Sequence, residues 1–448
     1  MAARRVGASR SRRTNGKRRS GGCSPRPRRS AYRSRRRPGR YRIGGGGVGD
    51  ELLPIGRRVA YWRGRRRMSQ QVFADRMGKS KSWVDKVERG ARSLDKVSTI
   101  AEIAAVLRVE QSVLLGRQVH TAAVNERAAG VERIRAALSA YDIVAGRRVP
   151  EREVPAADQL AGGVAYAWNT YQHAHYPQLI DLLPGLISGA QRGYACDPGS
   201  GRVPLVEAYR AGSALLTKLG ETELAWLAAD RAMALATGDA VLVATAAVQL
   251  GPVLRATGQA GAAVSTMRTT AYRITPPDLD GSPSAYLSLC GTLLVQGALA
   301  AAGDGHERGA ANLLDEAADL ADRVGDGHDY HRTAFGPTAV ATARTLAALE
   351  LGDAGEALAW HQRATVGLGW RWLPVEHRAA HLIDAARAHL HAHDATNAAR
   401  TLRQAQSIAP AEVRHRPAAR DLLVQVLRSP HAPTTIVQLA TALGVPAT

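Results

Sequence analysis

MSQQVFADRMGKSKSWVDKVERG, residues Met68 to Gly90, reads as two short helices separated by a glycine. Ser69 stands where a hydroxyl can accept from the free N–H groups of a first helical turn, and Phe73, Ala74 and Met77 then recur at the spacing of one buried face. Gly78 supplies the turn. Ser80 repeats the capping arrangement for a second helix, Lys81 to Glu88, which turns Val84 and Val87 inward and leaves Lys81, Ser82, Asp85 and Lys86 outside. Gly90 ends it.

Two helices so joined have the layout of a helix-turn-helix, whose second helix offers its polar N-terminal face to a DNA groove. Ser69-Gln70, Phe73-Ala74, Met77-Gly78, Val84, Val87-Glu88 and Gly90 resemble the phage-repressor-like (Cro/C1, XRE) helix-turn-helix family. The resemblance extends upstream to Ile55, Val59 and Trp62, and downstream to Leu94, Val97, Ile100, Ala101, Ala104 and Leu107, with Val113 to Gly116 as a closing turn. It implies a five-helix module from about Leu53 to Gly116, within a DNA-binding domain of residues 49–116. The proline often found after the family's recognition helix is replaced by Ser93-Leu94, which leaves the start of the fourth helix open.

Helix geometry places Lys81 and Ser82 in the first turn of the second helix, with Asp85 and Lys86 one turn further on, all outside the Val84/Val87 stripe. These four are expected to face base edges. The lysines can donate to guanine O6 and N7, Ser82 can donate or accept, and Asp85 can accept from cytosine N4 or repel phosphates. Trp83 either joins them against thymine methyls or sugar, or covers the edge of the module's core. The resemblance further implies that Gln70, Arg89 and Arg92 hold phosphates, and that Arg63 and Glu88 form an ion pair between the first helix and the end of the recognition helix.

Charge is distributed to match. The 448 residues carry a formal net charge of +21, but residues 1–48 hold sixteen Arg and one Lys with no acid, and residues 49–116 hold fourteen basic and eight acidic side chains. The remaining 332 residues have 29 basic against 31 acidic groups, so polyanion binding belongs to the first quarter of the chain. Cys23, Cys196 and Cys290 are too few and too far apart for a disulfide framework or a structural zinc site. A reducing, cytoplasmic and nucleoid-associated setting is expected. The sequence is read as having no membrane span, its nearest apolar run being Ala240 to Leu254.

Residues 1–48 are Arg, Gly, Ser and Pro without apolar periodicity and are expected to be disordered. Such a tail is either a nonspecific nucleic-acid arm or translated noncoding sequence upstream of a true start at Val48; arginine outnumbers lysine 54 to 6, as GC-rich codons would give. Residues 117–155 read as a linker helix, with Val124, Ala128, Val131, Ile134, Ala137 and Leu138 at helical spacing, followed by a proline-bearing hinge.

From residue 156 to about 430 the chain is helix after helix, rich in Ala and Leu and punctuated by glycine. A unit of glycine, polar residue and Ala-rich helix starts at Gly220, Gly258, Gly303 and Gly352, with a variant at Asp394, at spacings of 38, 45, 49 and 42 residues. This periodicity predicts an α-solenoid resembling the tetratricopeptide class, with a concave inner face; residues 431–448 form a C-terminal segment. Together, the two parts resemble the actinobacterial regulators that join such a helix-turn-helix to a tetratricopeptide-like domain. LAWLAADRAMALA, FGPTAVATA and LPVEHRAAHLIDAARAH carry the second resemblance. The expected architecture is all-α.

No complete motif for chemistry stands in the sequence. Glu376, His377, His381, Asp384, His389, His391 and His393 are dense enough to suggest a metal, but HExxH is absent and the helix-end histidines read as solvated. Neither a phosphate-loop GK[ST] nor GxSxG occurs. Trp226, Trp360, Trp370 and Trp372 either floor a ligand groove or fill cores between helices. No enzyme activity, cofactor or metal is expected. The expected partners are double-stranded DNA, a second copy of the chain in a homodimer, and a peptide, small molecule or protein at the repeat domain. The alternative is a tetratricopeptide-like scaffold whose small module has lost sequence recognition.

Overall fold

The computed structural model describes residues 54–94, 97–109, 111, 114, 117–141, 154–429 and 434–445. The chain divides into a unit of residues 1–49 and a unit of residues 50–448. The tail expected to be disordered therefore lies outside the described residues, as do the hinge and most of the fifth helix of the small module. Among the described residues the fold is all-α, with twenty α-helices and two short 3-10 turns.

Four helices build the N-terminal module: α1 (Ile55–Arg65), α2 (Gln70–Arg76), α3 (Lys81–Glu88) and α4 (Val97–Leu107). Ser69 Oγ accepts from Val72 N at 3.2 Å and Ser80 Oγ from Trp83 N at 3.1 Å, so both predicted caps form. Gly78 takes the left-handed conformation between them, at φ 59°. Val59, Phe73, Ala74, Met77, Val84, Ile100, Ile103, Ala104, Leu107 and Leu114 make the core. Ile103 is fully buried and was missed by the helical spacing read from sequence, whereas Ile55 and Trp62 only flank the core.

The second large body of helices begins earlier than the sequence implies. In α5 (Arg117–Leu138), the expected linker, Val131, Ile134, Ala137 and Leu138 are buried in one core with Leu179, Ile180 and Leu183. The i, i+3, i+7 stripe is therefore a packing face, and the described C-terminal half of this helix is part of the repeat domain.

Two helices, α6 (Ala157–Gln172) and α7 (Tyr176–Cys196), precede five antiparallel pairs. These are α8 (Pro198–Leu219) with α9 (Thr222–Ala236), α10 (Ala240–Ala256) with α11 (Ala260–Ile274), α12 (Ser284–Gly303) with α13 (Glu307–Val324), α14 (Pro337–Glu350) with α15 (Ala354–Val366), and α16 (Val375–His391) with α17 (Ala395–Ile408). Each pair turns through one left-handed residue: Gly220, Gly258, Gly305, Gly352 and, in the fifth, His393 at φ 58°. In the third pair the turn residue is Gly305; Gly303, expected in that role, is the last residue of its helix. Asp239, Asp353 and Asp394 cap the helices that follow them, while Glu221 and Gln259 make no side-chain cap. The longer side chains are poorly sized to reach back to the first-turn N–H groups.

Helix α12 corrects the reading of the apolar runs. Its twenty residues are long and apolar enough to cross a membrane by length and composition. Its apolar span is 78 % buried within the protein, because neighbouring helices cover it on all sides rather than on one stripe.

The domain ends with α18 (Pro410–His415), α19 (Pro417–Leu427) and α20 (Thr434–Ala442). Ile436 and Ala440 of α20, with Leu443 and Val445 after it, join Leu402, Leu422 and Val426 in a common core, so the described part of the expected C-terminal segment closes the domain.

The repeats also return on themselves. Tyr171 on α6 donates to Glu376 Oε1 on α16 at 2.9 Å, and Tyr176 on α7 donates to Glu412 on α18. Between the two acids lies Lys218 on α8, 2.7 Å from Glu376 and 3.0 Å from Glu412. It is the single lysine among the 29 basic residues after position 116. A compact ammonium can sit between two carboxylates where the planar fork of an arginine would not fit. Burial works against its charge, but the two glutamates hold its pKa above the ordinary lysine range. Helices α6, α7 and α8 are thereby joined to α16 and α18 by buried charges.

A second polar pair, buried at His381 and half-buried at His361, carries a pH dependence. His361 Nδ1 and His381 Nε2 are 2.9 Å apart, and burial pulls their pKa values down to about 4 and about 3. The unfolded chain binds protons at these groups near pH 6.5 whereas the folded chain resists, so stability is full above that pH and is lost as pH falls toward 4. His381 alone should cost about 2 kcal/mol between pH 6.5 and 4.5. Denaturant unfolding of wild type and His381→Gln across this range checks it: the variant's pH slope should be shallower, and equal slopes would disprove the assignment.

Candidate nucleic-acid interface

The recognition helix is fixed from behind by its own last turn. Glu88 is only 5 % exposed, and its carboxylate accepts from Arg63 Nε at 2.5 Å, Arg63 Nη2 at 3.0 Å and Gln70 Nε2 at 2.8 Å. The remaining Arg63 donor reaches Met68 O at 2.7 Å. One carboxylate thus binds α1, the start of α2 and the end of α3. Gly56 allows the approach, since a Cβ there would stand 2.0 Å from Val87 O.

With the rear face held, the front is polar and basic. Lys81, Ser82 and Lys86 are exposed, together with Lys79 in the preceding turn and Arg89 and Arg92 beyond the helix end. The helix N-terminus adds a partial positive charge at Lys81. Asp85 is the one acid on this face of α3 and is paired in the free protein with Arg89, one turn on. Trp83 is half-buried and packs against the module core. In the free protein it therefore occupies the core-edge position of its two predicted ones.

Sequence reasoning placed Gln70 on phosphate, but its carboxamide is occupied by Glu88. It also missed Lys79, whose position in the turn gives no periodic signal, and the arginines that fasten α1 to the end of α4 and to Leu114 beyond it. Arg66 donates to Leu107 O at 3.0 Å and Arg108 O at 2.9 Å, and Arg58 to Leu114 O at 3.0 Å. Charge runs look alike in sequence whether they meet a helix's last carbonyls or a phosphate.

The histidines and acids weighed as metal ligands are divided among separate contacts. His377 lies 2.8 Å from Glu376, His381 pairs with His361, and Asp384 lies 3.8 Å from Arg416. Among the described residues no group of three or more His, Cys, Asp or Glu is arranged to hold a metal ion. The tryptophans do not converge on one groove. Trp226 and Trp370 pack on cores, Trp360 lies beneath Arg344 and Arg363, and Trp372 is 69 % exposed beside a cleft of about 270 Å³.

A capped pair of short helices about a glycine turn, with a clamped rear and a basic front, defines the helix-turn-helix class of DNA-binding regulators. Residues 54–115 match the family model described as a helix-turn-helix domain. No curated protein matches the chain.

Proposed function

We propose that the chain is a sequence-specific transcriptional regulator of the Cro/C1 (XRE) subtype, acting as a homodimer in the cytoplasm on nucleoid DNA, and without enzymatic activity. The observation that carries this reading is the exposed set Lys81, Ser82 and Lys86 on a helix whose opposite face is locked by Glu88. A rigid helix with free donors at its N-terminal turns suits base readout in the major groove. Gln70, Arg89 and Arg92 are assigned to phosphates; Gln70 must then exchange Glu88 for its phosphate, or contribute only by fixing Glu88. The tetratricopeptide-like domain is assigned the sensing of a ligand. A dimer must set its recognition helices about 34 Å apart to enter successive major grooves, so a ligand that favours one arrangement of the repeats changes affinity by shifting a population.

Substitution on the recognition helix tests the assignment. Lys81→Ala or Lys86→Ala should cost ~1–3 kcal/mol on the preferred site and relax preference at one symmetric pair of positions. Arg89→Ala should weaken all sequences alike and lower the salt slope by about one. Equal weakening of every sequence by the two lysine variants would reduce this helix to a phosphate clamp and favour the scaffold alternative.

A further inference from the structure

Three stretches far apart in sequence meet at one cleft of the repeat domain. The end of α6 brings Gln172, the connection from α13 to α14 brings Gly327, Asp329 and Ala334, and the connection from α15 to α16 brings Trp372 and Leu373, around a space of about 270 Å³. Sites for drug-sized ligands run to ~300–1,000 Å³, so the occupant of this one is small. The cleft also abuts the contact that joins α6 to α16. Gln172 follows Tyr171, and Val375, which lines the cleft as well, precedes Glu376.

The connection from α13 to α14 is held in a demanding shape. Gly325, Gly327, His331, Arg332 and Ala334 all have left-handed backbone, three of them without the freedom of glycine. Side chains fix it there. Asp326 accepts from Thr338 N at 3.0 Å and from Thr338 Oγ1 at 2.7 Å, Arg210 donates to His331 O at 3.0 Å, and Asp329 Oδ1 accepts from Ala334 N at 3.1 Å. Backbone over-determined in this way clusters at ligand-binding sites, and a rigid site costs less ordering when a ligand enters.

The chemistry of the walls selects the ligand. Trp372 rests its indole against Gly327, where a Cβ would stand 3.7 Å from the ring, and is 69 % exposed. Asp329 is the one carboxylate in the lining, which includes no lysine or arginine. Its Oδ2 accepts from Gln172 Nε2 at 2.8 Å, its ion pair with Arg332 outside the lining is long at 3.5 Å, and 34 % of its side chain stays accessible. An anion would be repelled here, and a neutral molecule would leave the charge unused. An ammonium is attracted twice, by the quadrupole of the indole and by the charge of the carboxylate. Buried Ala334 and Leu373 give apolar lining for the body that carries it.

We propose that this cleft binds a small organic cation, an amine on an apolar or aromatic body, with Trp372 and Asp329 as its recognition groups. Its role as a signal rests on the reading of the repeat domain as the sensing part of a DNA-binding regulator. A ligand held between α6 and the connection from α15 to α16 favours the arrangement in which these elements are joined.

Calorimetric titration of the full chain with phenethylammonium, phenethyl alcohol and hydrocinnamate, which share an aromatic body and differ in charge, tests the site at constant ionic strength. The cation should bind saturably and at least about tenfold more tightly than the alcohol, with the carboxylate weakest. Asp329→Asn, which keeps an acceptor for Ala334 N, should bring the cation to the affinity of the alcohol. Trp372→Ala, at an exposed position, should melt as wild type does and bind the cation about tenfold more weakly. Arg308→Gln, at an exposed position on α13, should bind as wild type does. No saturable binding of the cation, equal or tighter binding of the alcohol or the carboxylate, or a cation affinity unchanged by Trp372→Ala or by a folded Asp329→Asn would overturn the proposal. Binding to a DNA site selected by this chain, measured with and without phenethylammonium, separates the two levels. Selective DNA binding without a cation response defeats the cleft alone. Saturable cation binding that depends on Asp329 in a chain that selects no DNA sequence supports the cleft and defeats the regulator reading.

Discussion

Replacing Lys218 with alanine should destabilise the repeat domain by ~3–5 kcal/mol, because it leaves Glu376 and Glu412 buried without the cation they share. The loss is not that of a surface pair. Glu412 has no exposure and Glu376 is 3 % exposed, so neither carboxylate can recover its lost partner from water. Lys218→Arg should also be poorly tolerated, since the guanidinium must overpack a site shaped for an ammonium. Denaturant midpoints of the full chain report the loss. A combined Lys218→Met, Glu376→Gln, Glu412→Gln variant should recover much of it by removing the stranded charges along with their partner. A loss under ~1 kcal/mol for Lys218→Ala would show that the closure of first helices on last does not depend on this contact.

The second large effect is expected in the small module. Glu88→Ala should cost ~3 kcal/mol or more, because Arg63, with 17 % of its side chain exposed, loses both charged contacts, and Gln70 loses its acceptor. Melting of a fragment of residues 49–116 measures it, and for a unit of this size the midpoint should fall by more than about 10 °C. Glu88→Gln retains one acceptor oxygen and should lose less. If Glu88→Ala instead costs under ~1 kcal/mol, the clamp behind the recognition helix is not what holds its orientation.

What was legible in the sequence is what local chemistry determines. Ser69 and Ser80 as caps, Gly78 and Gly90 as turn residues, and the Phe73/Ala74/Met77 and Val84/Val87 faces are set by neighbours within a few positions, and all are found as read. The repeat turns at Gly220, Gly258 and Gly352 were visible for the same reason. Contacts distant in sequence were not. Lys218 lies 158 residues before Glu376 and 194 before Glu412, and nothing in the composition of α8 signals where its ammonium goes. From sequence helix α5 reads as a linker, because a buried stripe shows that a helix packs, not what it packs on. The family resemblance assigns Gln70 to phosphate, and nothing in the sequence around it signals the carboxylate eighteen residues away that its amide meets. The Arg63–Glu88 pair was reached only through family resemblance, and it forms at 2.5 Å.

On the proposed reading the basic front of α3 reads a DNA sequence. Selection of binding sites from random duplex DNA by the full chain, at salt high enough to suppress binding through phosphates alone, tests it most directly. Two related half-sites with centres one helical turn or a multiple of it apart should be enriched, and Lys81→Ala and Lys86→Ala should each lose preference at one symmetric pair of positions. Recovery of DNA with no enriched sequence, or a preference unchanged by both substitutions, would contradict it.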